Sequence, residues 1–295
     1  MMELKDFPNY YQAADNISIK SQKAYLNIIR FDLISMIFAA LLAIYSFQDV
    51  NQKFWIYCFT GLLLLVGLIL TIVLKSKKYE DVWYQGRALA ESSKTLTWRF
   101  ITCAEYFEQS LDLNTVKERF IERIREVANE FKDLSSSMDS KTLNQEIITS
   151  KMLEVRNLSM NERKEYYIKN RIEDQQNWYS KKAEWNKGRY NFWFWIILAS
   201  QFFAIVSVVI LMNNPDNNWN IVGLLTTIAS SAISWLQIKQ HQEQKQAYTT
   251  ASEELNFIKE LSYNINSEKQ LSEFILDSEN AISREHTLWL AQRRK

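Results

Sequence analysis

Four stretches without an Asp, Glu, Lys or Arg, residues 33–47, 54–74, 192–212 and 219–238, form two apolar pairs set among polar sequence. A helix of about 20 apolar residues crosses the roughly 30 Å hydrocarbon layer of a bilayer. Three stretches meet that length. The first is shorter and needs Phe31 or Gln48 at the interface to reach it. One such run is compatible with a buried core helix, but two matched pairs are more than a soluble interior accommodates. The pattern predicts an all-α integral membrane protein, with two transmembrane helical hairpins and long cytoplasmic flanking helices.

Outside the pairs, apolar positions recur every three or four residues, the mark of helices with one buried face. Trp83, Ala90, Leu96 or Thr97, Phe100, Ala104, Phe107 and Leu111 form one stripe. Val116, Phe120, Ile124, Val127 and Phe131 form the next, after an interruption expected at 112–114. Consecutive Ser135, Ser136 and Ser137 read as a linker. The expected division is 1–134 for a first hairpin domain, 135–160 for a linker and helix lead-in, and 161–295 for a second hairpin domain. Helix should run unbroken from Asn161 into the third stretch, and from the fourth through 239–264. Ser267 and Gln270 have capping-box spacing. They open a last helix with Leu271, Phe274, Ile275, Ala281, Ile282, Leu288 and Trp289 roughly on one face.

Charge then sets the orientation. Lys20, Lys23, Arg30, Lys75, Lys77, Lys78, Arg87, Lys181, Lys182, Lys187, Arg189, Lys239 and Lys245 lie on the long-loop sides, whereas connectors 48–53 and 213–218 hold only Lys53. Lys and Arg stay cytoplasmic, so both termini should be cytoplasmic in a multi-pass protein. Trp55, Tyr57, Tyr190, Trp193 and Trp219 stand near span ends, where amphipathic rings favour the headgroups. The first stretch follows about thirty polar residues with no small-residue cleavage pattern, and is expected to stay as a span.

Composition removes most chemistries. Five Gly and two Pro leave little turn-forming sequence for a sheet protein. The formal net charge of +1 gives no field for nucleic acid, and none is expected as a partner. Cys58 and Cys103 offer no disulfide framework or zinc spacing. His241 and His286 are the two histidines, and His241 reads as a solvated helix residue just past the fourth stretch. Glu279, Glu285 and His286 share a helix without a metal-ligand set. There is no glycine-rich phosphate loop and no nucleophile elbow. The chain is expected not to be an enzyme, with no catalytic, cofactor-binding or metal residues and no cofactor.

One stripe carries polar groups into the bilayer. Gly223, Thr226, Thr227, Ser230, Ser231 and Ser234 follow offsets of three and four, opposite Ile221, Leu224, Leu225, Ile228 and Ile233. Small and hydroxyl residues let helices approach and hydrogen-bond in lipid, and in an oligomer the same face can line a water path. Both readings stay open. The first hairpin has a weaker version in Ser35, Ala39, Ala43 and Ser46, and the four leucines at 62–65 look lipid-facing.

The hairpins share their flanks. Tyr10, Tyr11, Asp15, Gln22 and Tyr25 precede the first; Tyr166, Tyr167, Asp174, Gln175, Trp178 and Tyr179 precede the second. Tyr79, Trp83, Arg87, Ala88 and Glu91 follow the first; Tyr248, Ala251, Glu254 and Leu255 follow the second. The halves read as copies of one unit.

These flanks resemble the SLATT superfamily, the bacterial SMODS- and SLOG-associating two-transmembrane effector domains, in tandem. The C-terminal copy resembles it through Arg171, Asp174, Gln175, Trp178, Tyr179, Lys182, Ala183 and Asn186, then Tyr248, Ala251, Leu255, Glu279, Glu285 and Trp289. The N-terminal copy does so through Tyr11, Ala14, Asp15, Ser18, Gln22, Tyr25 and Arg30, then Tyr79, Trp83, Arg87, Glu91, Lys94 and Trp98. The resemblance implies an antiviral or cell-suicide effector of the bacterial inner membrane that oligomerises into a pore. A separate sensor or nucleotide-signalling partner would trigger it, since no sensing domain is fused here. The alternative is a membrane-anchored scaffold whose cytoplasmic helices dock a partner protein. A repeat-built transporter fits less well, because the hairpins enter in the same orientation with no intramembrane charge.

Overall fold

The computed structural model describes residues 2–44, 50–217 and 219–293, with side chains as far as Ser283. Its main elements are α1 (Asn9–Leu42), α2 (Val50–Lys77), α3 (Tyr79–Ile101), α4 (Leu113–Glu130), α5 (Ser140–Leu143), α6 (Ser150–Arg156), α7 (Met160–Tyr167), α8 (Asp174–Asn213), α9 (Val222–Lys239), α10 (His241–Leu261) and α11 (Glu268–Arg293). The described residues form helices and no strand, as the apolar periodicity predicts. It divides into a body, made of Met1–Gln22, Glu80–Ala183 and Gln246–Lys295, and a membrane unit, made of Lys23–Tyr79 and Glu184–Lys245.

The body has a deep core. Trp98, Phe100, Phe107, Phe120, Ile124, Met152, Tyr167, Leu271 and Ile275 are all at most 1% exposed. α4 shows why the sequence folds this way: Val116, Phe120 and Ile124 recur at four-residue spacing and are its buried residues. Each large apolar side chain so buried stabilises the fold by about 1.5–3 kcal/mol. α1 and α3 approach closely at Gly86, where an added Cβ would stand 3.0 Å from the Ala14 carbonyl oxygen. Ser18 Oγ donates to the Trp83 carbonyl at 3.0 Å beside it.

Two body segments differ from expectation. α3 ends at Ile101, and the break extends over 102–112 instead of lying at 112–114. Stopping a helix frees carbonyls that need donors. Arg156 Nη1 donates to the Phe100 carbonyl at 2.6 Å, and Arg163 Nη1 donates to Cys103 Sγ at 2.7 Å and Gln109 Oε1 at 2.8 Å. Asp112 then caps α4 by accepting from the Asn114 and Thr115 amides. The serine run is no loose tether either. Lys132–Ser137 is a 3-10 turn, and Leu134 and Met138 bury beside Ala13, Ala14, Leu89 and Ala90.

Three helical stretches, each with a part in the membrane unit, are long and apolar enough to cross a bilayer: Asn9–Leu42, Val50–Ile101 and Met160–Asn213. The fourth predicted span starts three residues late, as the 18-residue α9, and is not among those three. α2 begins at Val50, inside the expected connector. Ser46, Phe47 and Gln48 lie outside the described residues. Helical structure runs unbroken from Met160 to Asn213, through a π turn at Ile168–Glu173.

Each hairpin closes with the same joint. Lys78 (φ 48°) follows α2 and Gln240 (φ 49°) follows α9, both left-handed non-glycine residues. The helix expected through 239–264 is therefore broken at Gln240, whose amide bonds back to the Leu236 carbonyl at 2.8 Å in a left-handed cap.

Candidate functional site

Several of the flank residues singled out in the sequence fall into two ion networks and an aromatic stack within the body. At the π turn, Arg171 is buried and donates from Nε and Nη2 to the two carboxylate oxygens of Glu279, both at 2.9 Å. The partners are 1% and 0% exposed. Glu279 accepts two further bonds, from Tyr167 Oη at 2.9 Å and Thr95 Oγ1 at 2.8 Å. Burial pulls the Arg171 guanidinium down, but the Glu279 charge overrides it and holds it above its ordinary range. Burial, then the same carboxylate, drives the Tyr167 phenol well up. Both groups are locked in one protonation state, a structural arrangement and the opposite of a poised acid or base.

The second network is looser. Arg87 pairs with Glu91 at 2.7 Å and stands 3.8 Å from Asp15, with all three side chains partly exposed. Trp83 is buried next to them in α3. Burial lowers the ordinary affinity of Lys94 for its proton. Downstream, Tyr179 is buried and stacks on Tyr248 with centroids 5.6 Å apart, and the more exposed Trp178 meets the same ring edge-on at 5.3 Å. Asp174 and Gln175 line a body cavity of about 190 Å³ together with Tyr11, Lys94, Trp98 and Arg171. Of these lining residues, Trp98 and Arg171 each have a buried nitrogen without an acceptor, Nε1 and Nη1.

Asn186 belongs to the membrane unit, and it corrects the reading of His241. That histidine is 2% exposed, not solvated. Its Nδ1 lies 2.7 Å from Asn186 Oδ1, and its ring meets Trp185 edge-on at 5.5 Å. A partner 55 positions upstream and one flat neighbour take it out of water. The side chains of Glu285, His286, Leu288 and Trp289 lie outside the described residues.

The α9 stripe is split by the structure. Ser231 is buried with Ala229, Ala232 and Trp235, whereas Gly223, Thr226 and Ser230 are exposed and Thr227 and Ser234 half-buried. A step of 100° per residue puts Ser231 on the stripe's edge, where it turns inward. Thr226 donates to the carbonyls of Val222 and Gly223, both at 3.0 Å, and Thr227 to that of Gly223 at 2.8 Å. The threonine hydroxyls are thus satisfied within the helix and need no neighbour in this chain. Among the described residues, no cluster of three or more His, Cys, Asp or Glu is placed to hold a metal ion.

Sequence reading named Tyr167 as a flank residue without giving it this role, and did not find Thr95; the two complete the Glu279 cage. Tyr167 is one turn before Arg171 and on its face, which was a usable signal. Thr95, which bonds to a carboxylate 184 positions away, offered none.

Residues 8–164 match the model of SMODS and SLOG-associating 2TM effector domain 3, and residues 167–289 match that of SMODS and SLOG-associating 2TM effector domain 1. The chain belongs to the SLATT family. It is a tandem of two such domains, and each match contains one hairpin: α1 and α2 in the first, α8 and α9 in the second. No curated protein and no solved structure matches the chain. SLATT domains are two-transmembrane effector domains associated with bacterial conflict and defence systems, so this SLATT tandem is a membrane effector.

Proposed function

We propose that the SLATT tandem acts without enzymatic chemistry, oligomerising in the bacterial inner membrane to permeabilise it, with both termini in the cytoplasm. The supporting observation is the stripe on α9. Gly223, Thr226 and Ser230 form a small, hydroxyl-bearing face that the folded chain leaves uncovered in a segment otherwise apolar. In lipid such a face favours contact with another helix, and around a shared axis it offers hydroxyls to water. Ser231, which packs inside the chain, takes no part in that face. The cytoplasmic body then receives the trigger from a separate sensor or nucleotide-signalling partner, and its 190 Å³ cavity gives a ligand somewhere to act.

The test is induced expression in a bacterium carrying a potential-sensitive dye, comparing the natural chain with Thr226→Leu/Thr227→Leu/Ser230→Leu. The natural chain should depolarise the membrane once its system is activated, and the variant should insert to the same level yet leave the potential intact. Unchanged toxicity from the variant would instead favour the anchored scaffold.

A further inference from the structure

The membrane unit contains a second cavity, of about 440 Å³, whose wall changes character along the spans. Arg30, Arg189 and Lys239 stand at one end. They are cations bordering the apolar runs of α1, α8 and α9, and the charge pattern puts all three on the same membrane face. Below them the wall is aliphatic, with Leu33, Ile37, Ile196 and Ile228. Among the described residues, no carboxylate lines it. The two guanidiniums lie over indoles, Arg30 Cζ at 5.2 Å from the Trp235 ring and Arg189 Cζ at 5.5 Å from Trp185. A ring that takes the face of a guanidinium leaves its N–H edge for an oxyanion; Arg30 Nη1 spends one N–H on Asn27 Oδ1 at 3.0 Å, and its other N–H groups remain for the anion.

We propose that this cavity is a site for an anionic glycerophospholipid, with the phosphate at Arg30, Arg189 and Lys239 and one acyl chain along Leu33, Ile37, Ile196 and Ile228. Basic pockets between spans at the headgroup level suit such lipids. A free phosphate would use only the cationic end and leave the aliphatic wall uncovered, so the amphiphile is the better match. The cavity is formed by α1, α8, α9 and the start of α10, so the tandem's two halves both contribute to it. The inference rests on the membrane architecture and is independent of pore formation.

Native mass spectrometry of the full detergent-extracted chain tests it, with phosphatidylglycerol and phosphatidylcholine supplied at equal concentration. Phosphatidylglycerol should be the retained adduct. Arg30→Gln/Arg189→Gln should cut its retention about thirtyfold, to the phosphatidylcholine level. Ile37→Trp/Ile196→Trp fills the acyl half while keeping every charge, and should also abolish retention. This second variant decides the matter if the charge variant does not fold. Equal retention of the two lipids would overturn the proposal. So would phosphatidylglycerol retention that survives either variant, or its displacement by glycerol 3-phosphate, which would mark a free-anion site.

Discussion

The two halves of the tandem repeat one plan but are anchored to different depths. In the first, α2 buries no residue, and its flank is tied by Arg87, Glu91 and Asp15, all partly exposed. In the second, α9 buries Ala229, Ser231, Ala232 and Trp235, and its flank is tied by an Arg171–Glu279 pair sealed from water. Solvent screens the first set of charges and not the second. A duplicated framework has thus given one half a span that buries no residue and partly exposed charges, and the other a packed span and a charge that must be matched.

The largest asymmetry should appear on removing one charge from each network. Glu279→Ala strands a buried guanidinium and should destabilise the chain by about 3–5 kcal/mol. Glu91→Ala should cost at most about 1 kcal/mol. Thermal unfolding of the two detergent-extracted variants side by side measures the gap, and equal shifts would remove the distinction. The spans give the next contrast. Ser231→Leu overfills a packed position and should cost about 1–3 kcal/mol. Gly61→Leu in α2 meets no atom within 4 Å of its Cβ and should change stability by less than about 0.5 kcal/mol.

Glycine gives a smaller effect with opposite signs. Gly86→Ala forces its Cβ to 3.0 Å from a backbone oxygen and should cost about 1 kcal/mol or more. Gly188→Ala, in open space within α8, should stabilise by about 0.4–1 kcal/mol. Denaturant midpoints resolve both. The subtlest test concerns Lys94, whose folded-state pKa is lowered by burial. Below the ordinary lysine value of 10.5 the unfolded chain holds that proton more firmly, so this residue makes stability rise with pH across the window just beneath it. Lys94→Met should stabilise the chain at neutral pH and flatten that slope in melting temperature against pH.

Local pattern carried much of this architecture. The four-residue spacing of Val116, Phe120 and Ile124 placed α4, and the apolar runs placed the hairpins, because both signals depend only on neighbours in sequence. Ser267 caps α11 as its spacing implied, accepting from the Gln270 amide at 3.3 Å, although Gln270 Oε1 accepts from the Asn266 amide instead of completing the box at Ser267. Distant partners decided what local pattern missed. Arg156 and Arg163 fix where α3 stops, and Asn186 draws His241 out of water. Glu279 reaches Arg171 across 108 positions of chain, and no periodicity encodes such a meeting. Ser231 shows the limit within a single helix: offsets of three and four define a broad face, and only the neighbouring spans decide which edge of it is covered.

The order of synthesis gives the Glu279 carboxylate a further consequence. The polypeptide is made from its amino terminus, so α1, α2, α8 and α9 have all left the ribosome before residue 279 is added. Until then Arg171 has no mate, and the body cannot seal around it. The body therefore closes only after the four apolar helices have been made, and a product truncated ahead of α11 would carry a body still open to chaperones and proteases.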